Sequence, residues 1–288
     1  MTVYWAEFSN DIAQQSGRKV EMPEQRIITL LSDFGLRDVY VGVMKGVIAQ
    51  INSALTIVDL THQIPAQNVA AARFCLMNAY SYFPLGTVHI AVVDPGVGSS
   101  RKAIALQVEG GFLVGPDNGL FGGVLNNTPV LAAVELTNPA YWRTSSPSTT
   151  FHGRDIFASV GAHLASDVAI EEVGNLIEPI SLVQLAIPEK TAAAERLSGC
   201  VQYVDHFGNL VTNIPAAEVE GESWSVVAAE RIIPASKTYS ERAWGEVVAL
   251  IGSHGWVEIA VNGGSAQSQL QLDWGTPVEV VLTREEKG

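Results

Sequence analysis

Between residues 26 and 165 the chain alternates strand-length apolar runs with stretches of helical spacing, and from Ser198 onward it shows short strands only. That change of pattern constrains the fold more than any other feature. Alternating strand and helix is the pattern of a largely parallel sheet covered by helices, whereas short strands with frequent turns build a barrel or sandwich. The expectation is an α/β fold class in two parts, an amino-terminal α/β domain over 26–190 and a carboxy-terminal all-β barrel domain over 197–288. A polar extension at 1–25 precedes them, and no internal repeat stands out.

In the first part, strands are predicted at 26–31, 55–60, 88–94, 103–108, 111–114 and 131–136. Helices are predicted at 38–52, with Val39, Val43, Val47 and Ile51 on the apolar face, at 68–82 with Asn68 as N-cap, and at 156–165. A connector runs over 166–188, with the domain boundary near 188–197. The β domain is predicted to carry strands at 199–204, 209–214, 223–228, 231–233, 246–251, 257–261 and 278–282.

The 288 residues suffice for a sizeable core, and a formal net charge of −13 argues against a nucleic-acid partner, which needs Lys and Arg against phosphates. No apolar run reaches the roughly 18 residues that span a bilayer, and no basic-then-apolar leader opens the chain, so a cytoplasmic enzyme is expected. Cys75 and Cys200 offer neither a disulfide framework nor metal-ligand spacing and read as buried thiols.

The apolar run 88–93 stops at Asp94-Pro95-Gly96-Val97-Gly98, and Arg101 follows seven residues after the Asp. Ligands bind at the carboxyl ends of strands in α/β sheets. Asp33 and Asp117 also sit just past predicted strands, so the three carboxylates suggest a common polar rim, although each could be a turn residue and Arg101 a surface partner of Asp94. His152, in a loop beside Gly153, Arg154 and Asp155, is a candidate for chemistry. His89 and His163 read as packing residues, and Lys45 as solvated. No zinc spacing, Gly-x-Ser-x-Gly, Walker loop or dinucleotide-binding glycine pattern is present. In the β domain, Asp205-His206-Phe207-Gly208-Asn209 reads either as a hairpin turn or as a polar site. In the latter, Asp205 would suit an ammonium, Asn209 a purine edge and Phe207 stacking. The turns 252–255 and 262–264 expose backbone N–H groups.

Taken in order, Ser32-Asp33-Phe34-Gly35, Val93-Asp94-Pro95-Gly96-Val97-Gly98, Gly115-Pro116-Asp117-Asn118-Gly119, Thr150-Phe151-His152-Gly153-Arg154-Asp155 and Phe207-Gly208-Asn209 through Thr212-Asn213 resemble the adenosine-forming S-adenosyl-L-methionine hydrolases. These are also called SAM hydroxide adenosyltransferases and are homologous to fluorinase and chlorinase. The resemblance runs from about Ile27 to Leu282. It implies a homotrimer with S-adenosylmethionine bound between subunits, no cofactor and no membrane partner. It places an Asp-Arg-His triad on Asp94, Arg101 and His152. It further implies that Asp33 holds the ribose hydroxyls, Asp205 the methionine amine, Ser253 its carboxylate, Asn209 and the backbone at Gly263 the adenine. Asn118 and Phe207 join these contacts. His254 stands where the halogenases have an arginine.

The implied reaction is in-line attack of water on C5′ of the ribose. The sulfonium is already a good leaving group, so the reaction lacks only a positioned nucleophile. Arg101, a guanidinium that donates only and does not act as a base, serves electrostatically, and Asp94 or His152 takes the proton. The alternatives are halogenation on the same fold, where the halogenases have Tyr-Ser instead of His152-Gly153, and a non-catalytic S-adenosylmethionine binder. A metal phosphohydrolase using Asp33, Asp94 and Asp117 and a methyltransferase are weaker readings.

Overall fold

The computed structural model describes residues 26–188, 190–193 and 195–283; the extension expected at 1–25 lies outside them. The first strands and helices follow the predicted alternation: β1 (Ile27–Ser32), α1 (Tyr40–Ile51), β2 (Thr56–Thr61), α2 (Val69–Tyr80) and β3 (Thr87–Val92). β4 (Ala103–Val108) and β5 (Gly111–Pro116) then form a hairpin, followed by α3 (Gly122–Leu125), β6 (Val130–Glu135), α4 (Ala158–Leu164) and the two-residue β7 (Asn175–Leu176). The sheet order is β2-β1-β3-β5-β4-β6-β7. β2, β1, β3 and β5 run parallel, while β4, β6 and β7 pair antiparallel, so the second half of the sheet is antiparallel.

Helices cover both faces, which is why the central strands are apolar at consecutive positions. Ile28, Leu30, Val88, Ile90 and Val92 pack toward α1 and α4, whereas Leu31, Ala91, Val93, Ile104 and Leu106 pack toward α2. Asn68 caps α2 as predicted, accepting the Ala71 N–H at 2.9 Å. The buried stripe of α1 is Val41, Met44, Val47 and Ile48; of the predicted face, Val47 is buried and Ile51 packs against the core, whereas Val39 and Val43 face outward. Both stripes have helical spacing, and the position of the sheet decides between them.

The described residues between 191 and 283 form one antiparallel sheet, ordered β12-β11-β15-β9-β10-β14-β13. Its strands are β8 (Thr191–Ala193), which pairs with β9, β9 (Arg196–Val204), β10 (Leu210–Pro215), β11 (Ser223–Ala228), β12 (Arg231–Pro234), β13 (Val247–Ile251), β14 (Trp256–Val261) and β15 (Pro277–Thr283). A bridge from Ala235 to Ala249 brings the two edges together, so the sheet is a nearly closed barrel around Val201, Leu210, Ile214, Val226, Ile259 and Val280. A short helix, α5 (Ala266–Leu270), packs into its end. α2 leans on β9, where Phe74 stacks on Tyr203 with ring centroids 4.6 Å apart. Cys200 is buried, but Cys75 is only half-buried, beside Tyr203.

Candidate active site

Because β1, β3 and β5 are parallel, Asp33, Asp94 and Asp117 emerge at the same edge of the sheet. Their environments differ. Asp117 is buried and accepts the Val183 N–H at 2.9 Å, which ties it to the connector, and burial raises its carboxyl above the ordinary value. Asn118 beside it donates to the Val93 carbonyl at 2.8 Å and accepts the Leu120 N–H at 3.2 Å, fastening the end of β5 to that of β3. Asp33 is half-buried and accepts the Gln67 N–H at 2.8 Å. Among the described residues, no three His, Cys, Asp or Glu side chains come together as metal ligands.

Asp94 is committed to Arg101. The Asp94–Arg101 loop folds back through Ser99 N–H to the Gly96 carbonyl, and Ser99 Oγ accepts the Arg101 N–H. Arg101 Nε then lies 3.0 and 3.1 Å from the two Asp94 oxygens, and a terminal guanidinium nitrogen closes the fork. Their side chains are only 10% and 6% exposed, so the pair is buried rather than a surface contact. The ring of Phe157 lies 5.3 Å from the guanidinium carbon.

The same guanidinium reaches His152 Nδ1 at 2.8 Å. Guanidinium only donates, so Nδ1 must accept, and the proton of the neutral ring is on Nε2. Burial and then the Arg101 charge push the His152 pKa below its ordinary value, against the opposing pull of Asp94 and Asp155.

The loop carrying His152 is anchored by Asp155, which is fully buried. Asp155 receives Arg143 Nε at 2.7 Å, Arg154 Nε at 2.6 Å and the Ser148 N–H at 2.9 Å. Burial raises its carboxyl, but these bonds outweigh burial and carry it well below the carboxylate range. The Ser/Thr-rich loop before His152 is thereby pinned, and residues 153–157 form a π-helical turn leading into α4. Gly98 has φ +78°, and a Cβ there would overlap the Thr149 carbonyl, so the loops carrying Arg101 and His152 are in backbone contact.

The β-domain candidates lie elsewhere. Phe207, Asn209 and Gly263 line one pocket with Tyr239, Val261 and Asn262. Asp205 and His254 line a groove between the two sheets with Phe74, Cys75 and Tyr203, while Ser253 is exposed beside His254. Asp205 keeps its turn role, accepting the N–H groups of Phe207 at 2.9 Å and Asn209 at 2.8 Å, and Asn209 Nδ2 at 2.9 Å. His254 Nε2 lies 3.0 Å from the buried Glu258, whose other oxygen accepts the Tyr239 hydroxyl at 2.8 Å. Burial, and then that bond, raise the Tyr239 hydroxyl to about 12. Sequence reading missed Glu258 and Tyr239, because a single Glu in an apolar strand and a loop Tyr carry no local signal.

The structure thus unites Asp94, Arg101 and His152 in one contact group and collects Phe207, Asn209 and Gly263 in another. Among the described residues, no hydrogen bond or ion pair links the two groups within the chain.

Residues 28–174 match the model of the SAM hydroxide adenosyltransferase N-terminal domain, and residues 199–279 that of the SAM hydroxide adenosyltransferase C-terminal domain. A protein of Thermus thermophilus named (R)-S-adenosyl-L-methionine hydrolase is 39% identical over 262 residues, which cover 89% of this chain and 100% of that one. A fluorinase of Actinopolyspora mzabensis is 27% identical over 289 residues, covering 88% and 96%. The crystal structure of an uncharacterized conserved protein from Thermotoga maritima superimposes with a TM-score of 0.82 at 36% identity, covering 88% of this chain and 99% of that one.

Proposed function

The chain belongs to the SAM hydroxide adenosyltransferase family, and from that premise we propose that it hydrolyses S-adenosyl-L-methionine to adenosine and L-methionine at the Asp94–Arg101–His152 group. The observation that carries the site assignment is the buried contact chain itself, in which one guanidinium grips Asp94 and His152 at the ligand-binding edge of a parallel sheet.

In the proposed reaction a water oxygen attacks C5′ in line with the sulfonium. The C5′–O bond forms as the C5′–S bond breaks, the electron pair stays on the methionine sulfur, and the water proton goes to Asp94. His152 does not take that proton, because its Nδ1 is occupied by Arg101 and its Nε2 is protonated. A strong base is unnecessary, since bond formation makes the attacking water acidic. Arg101 supplies positive charge beside the developing hydroxide in a water-poor setting, where such charge acts most strongly. Asp33 holds the ribose hydroxyls, with Asn118 bracing the rim beside it.

The adenine and methionine contacts (Phe207, Asn209, Gly263, Asp205, Ser253 and His254) come from the β domain of a second copy in a homotrimer. Two features support this arrangement. The two residue groups are not in contact within one chain, and apolar side chains are exposed beside each: Leu36 and Val39 near the rim, Phe207 and Trp244 near the pocket.

The test is to incubate the purified protein with S-adenosylmethionine and separate the products, with and without chloride, fluoride and a chelator. Adenosine and methionine in equal amounts, unaffected by halide or chelator, are expected. A 5′-halo product would transfer the chain to the halogenase reading, chelator sensitivity would revive a metal mechanism, and binding without turnover would leave a binder. The kcat profile should fall only below the ordinary histidine range, because protonation of Nδ1 would break the Arg101 contact and the His152 pKa is held low.

A further inference from the structure

Beneath the rim lies a second chain of polar side chains, buried at its Ser32–His62 end and half-exposed at its Asp59–Lys45 end, that the reaction above does not use. Ser32, the last residue of β1, is 1% exposed, and its Oγ is 2.7 Å from Nδ1 of His62, itself 4% exposed. His62 Nε2 lies 3.0 Å from Asp59 Oδ1, not aligned as a regular hydrogen bond but within reach of the carboxylate's charge. The other Asp59 oxygen is 2.6 Å from Lys45 Nζ on α1. Lys45 is thus paired rather than simply solvated. Burial raises the Asp59 carboxyl, but the Lys45 and His62 contacts outweigh it and leave the carboxyl below its ordinary value.

The donors and acceptors of this chain run in one direction. The Lys45 ammonium donates to Asp59, and Asp59 favours the proton of His62 on Nε2. Nδ1 then accepts the Ser32 hydroxyl, and Ser32 Oγ accepts the Phe34 N–H at 3.3 Å. His62 also acts through its backbone, because its carbonyl accepts the Gly35 N–H at 2.8 Å. The turn Ser32-Asp33-Phe34-Gly35 is therefore fastened to His62 at both ends, with Asp33 inside it. Gly35, at φ +66°, lets the backbone return toward His62.

We propose that His62 is a positioning residue, and that the Lys45–Asp59–His62–Ser32 chain presets Asp33 for the ribose hydroxyls of the substrate. This rests on the reading of Asp33 as the ribose contact. A chain that presets a group used equally in ground and transition states changes KM and leaves kcat alone.

The experiment compares S-adenosylmethionine with its 2′-deoxyribose analogue as substrates for wild type, Asp33→Ala, Ser32→Ala, His62→Gln and Lys45→Met. Wild type is expected to favour the ribose substrate, and Asp33→Ala to abolish that preference. Ser32→Ala and His62→Gln are expected to raise KM for the ribose substrate about tenfold, the scale of one lost buried hydrogen bond, and to raise it by less for the deoxy analogue, which keeps only the 3′-hydroxyl for Asp33. Lys45→Met, at the half-exposed end of the chain, is expected to act in the same direction by about threefold and decides the matter if the buried variants do not fold. Equal losses on both substrates, or a fall in kcat at constant KM, would overturn the proposal. If Asp33→Ala loses the preference while Ser32→Ala, His62→Gln and Lys45→Met keep it, the chain alone is refuted. If Asp33→Ala keeps it, the ribose reading of Asp33 fails and takes the proposal with it.

Discussion

The two sheets present functional residues in opposite ways. At the parallel edge of the first, charged side chains are buried and hold one another: Arg101 grips Asp94 and His152, and Asp155 anchors the loop behind them. In the barrel, the pocket at Phe207 and Gly263 is open, with Phe207 71% exposed and Asp205 occupied in a turn. A buried charged network keeps its geometry without substrate, which suits a group that must orient water. An exposed aromatic beside turn backbone suits a surface completed by something else. On the proposed assignment, the division is between a preassembled reactive centre and a binding face.

Arg101→Ala should produce the largest effect, a fall in kcat of about 10²–10³-fold with KM within a few-fold, measured by initial rates of adenosine release. A variant that instead raised KM and kept kcat would make the buried group a binding feature and erase the contrast. Mixing Arg101→Ala with Phe207→Ala in equal amounts, after dissociation and reassembly, should restore the wild-type KM to roughly a quarter of the sites if each site draws on two copies at random. No restoration would place both halves of the site in one chain.

Acid should separate the two sheets next. His89, within β3 of the first sheet, is buried against Thr29 Oγ1, and burial lowers its pKa to about 4. The unfolded chain takes up this proton near pH 6.5 and the folded chain only near 4. Stability is therefore full above pH 6.5, declines as pH falls through that window by up to about 3 kcal/mol, and loses nothing more from this group below it. Urea unfolding followed across pH 7 to 4 should show this slope in wild type and a shallower one in His89→Gln.

Phe207→Ala should have the smallest effect, a rise in KM of about tenfold with kcat preserved, the scale of a lost stacking contact. A comparable fall in kcat would mean that the barrel pocket takes part in orienting the reaction.

Much of the fold was legible because burial on both faces leaves long apolar runs and because turns carry Gly, Pro and Asn. All seven strands predicted after residue 198 are present, as is the Asn68 cap. β7 and β8 were not legible, since two- and three-residue exposed strands have no periodicity and exist only by pairing with β6 and β9. Within the reactive centre, Asp94, Arg101 and His152 stood out because they follow a strand end, a glycine loop and a polar loop. Ser32, Asp59, His62 and Asp155 did not, because each is an ordinary residue until its distant partner is known.

The sequence alone determined where strands and helices lie, through apolar periodicity and turn residues, and which short motifs bear polar side chains at strand ends. Only the tertiary structure decided which face of α1 is buried, that β5 rather than β4 lies beside β3, and that the guanidinium gripping Asp94 also reaches a histidine 51 positions beyond Arg101. The reason is physical. Periodicity is a property of neighbours along the chain, whereas desolvation, tautomer and charge pairing depend on what the folded chain brings into contact.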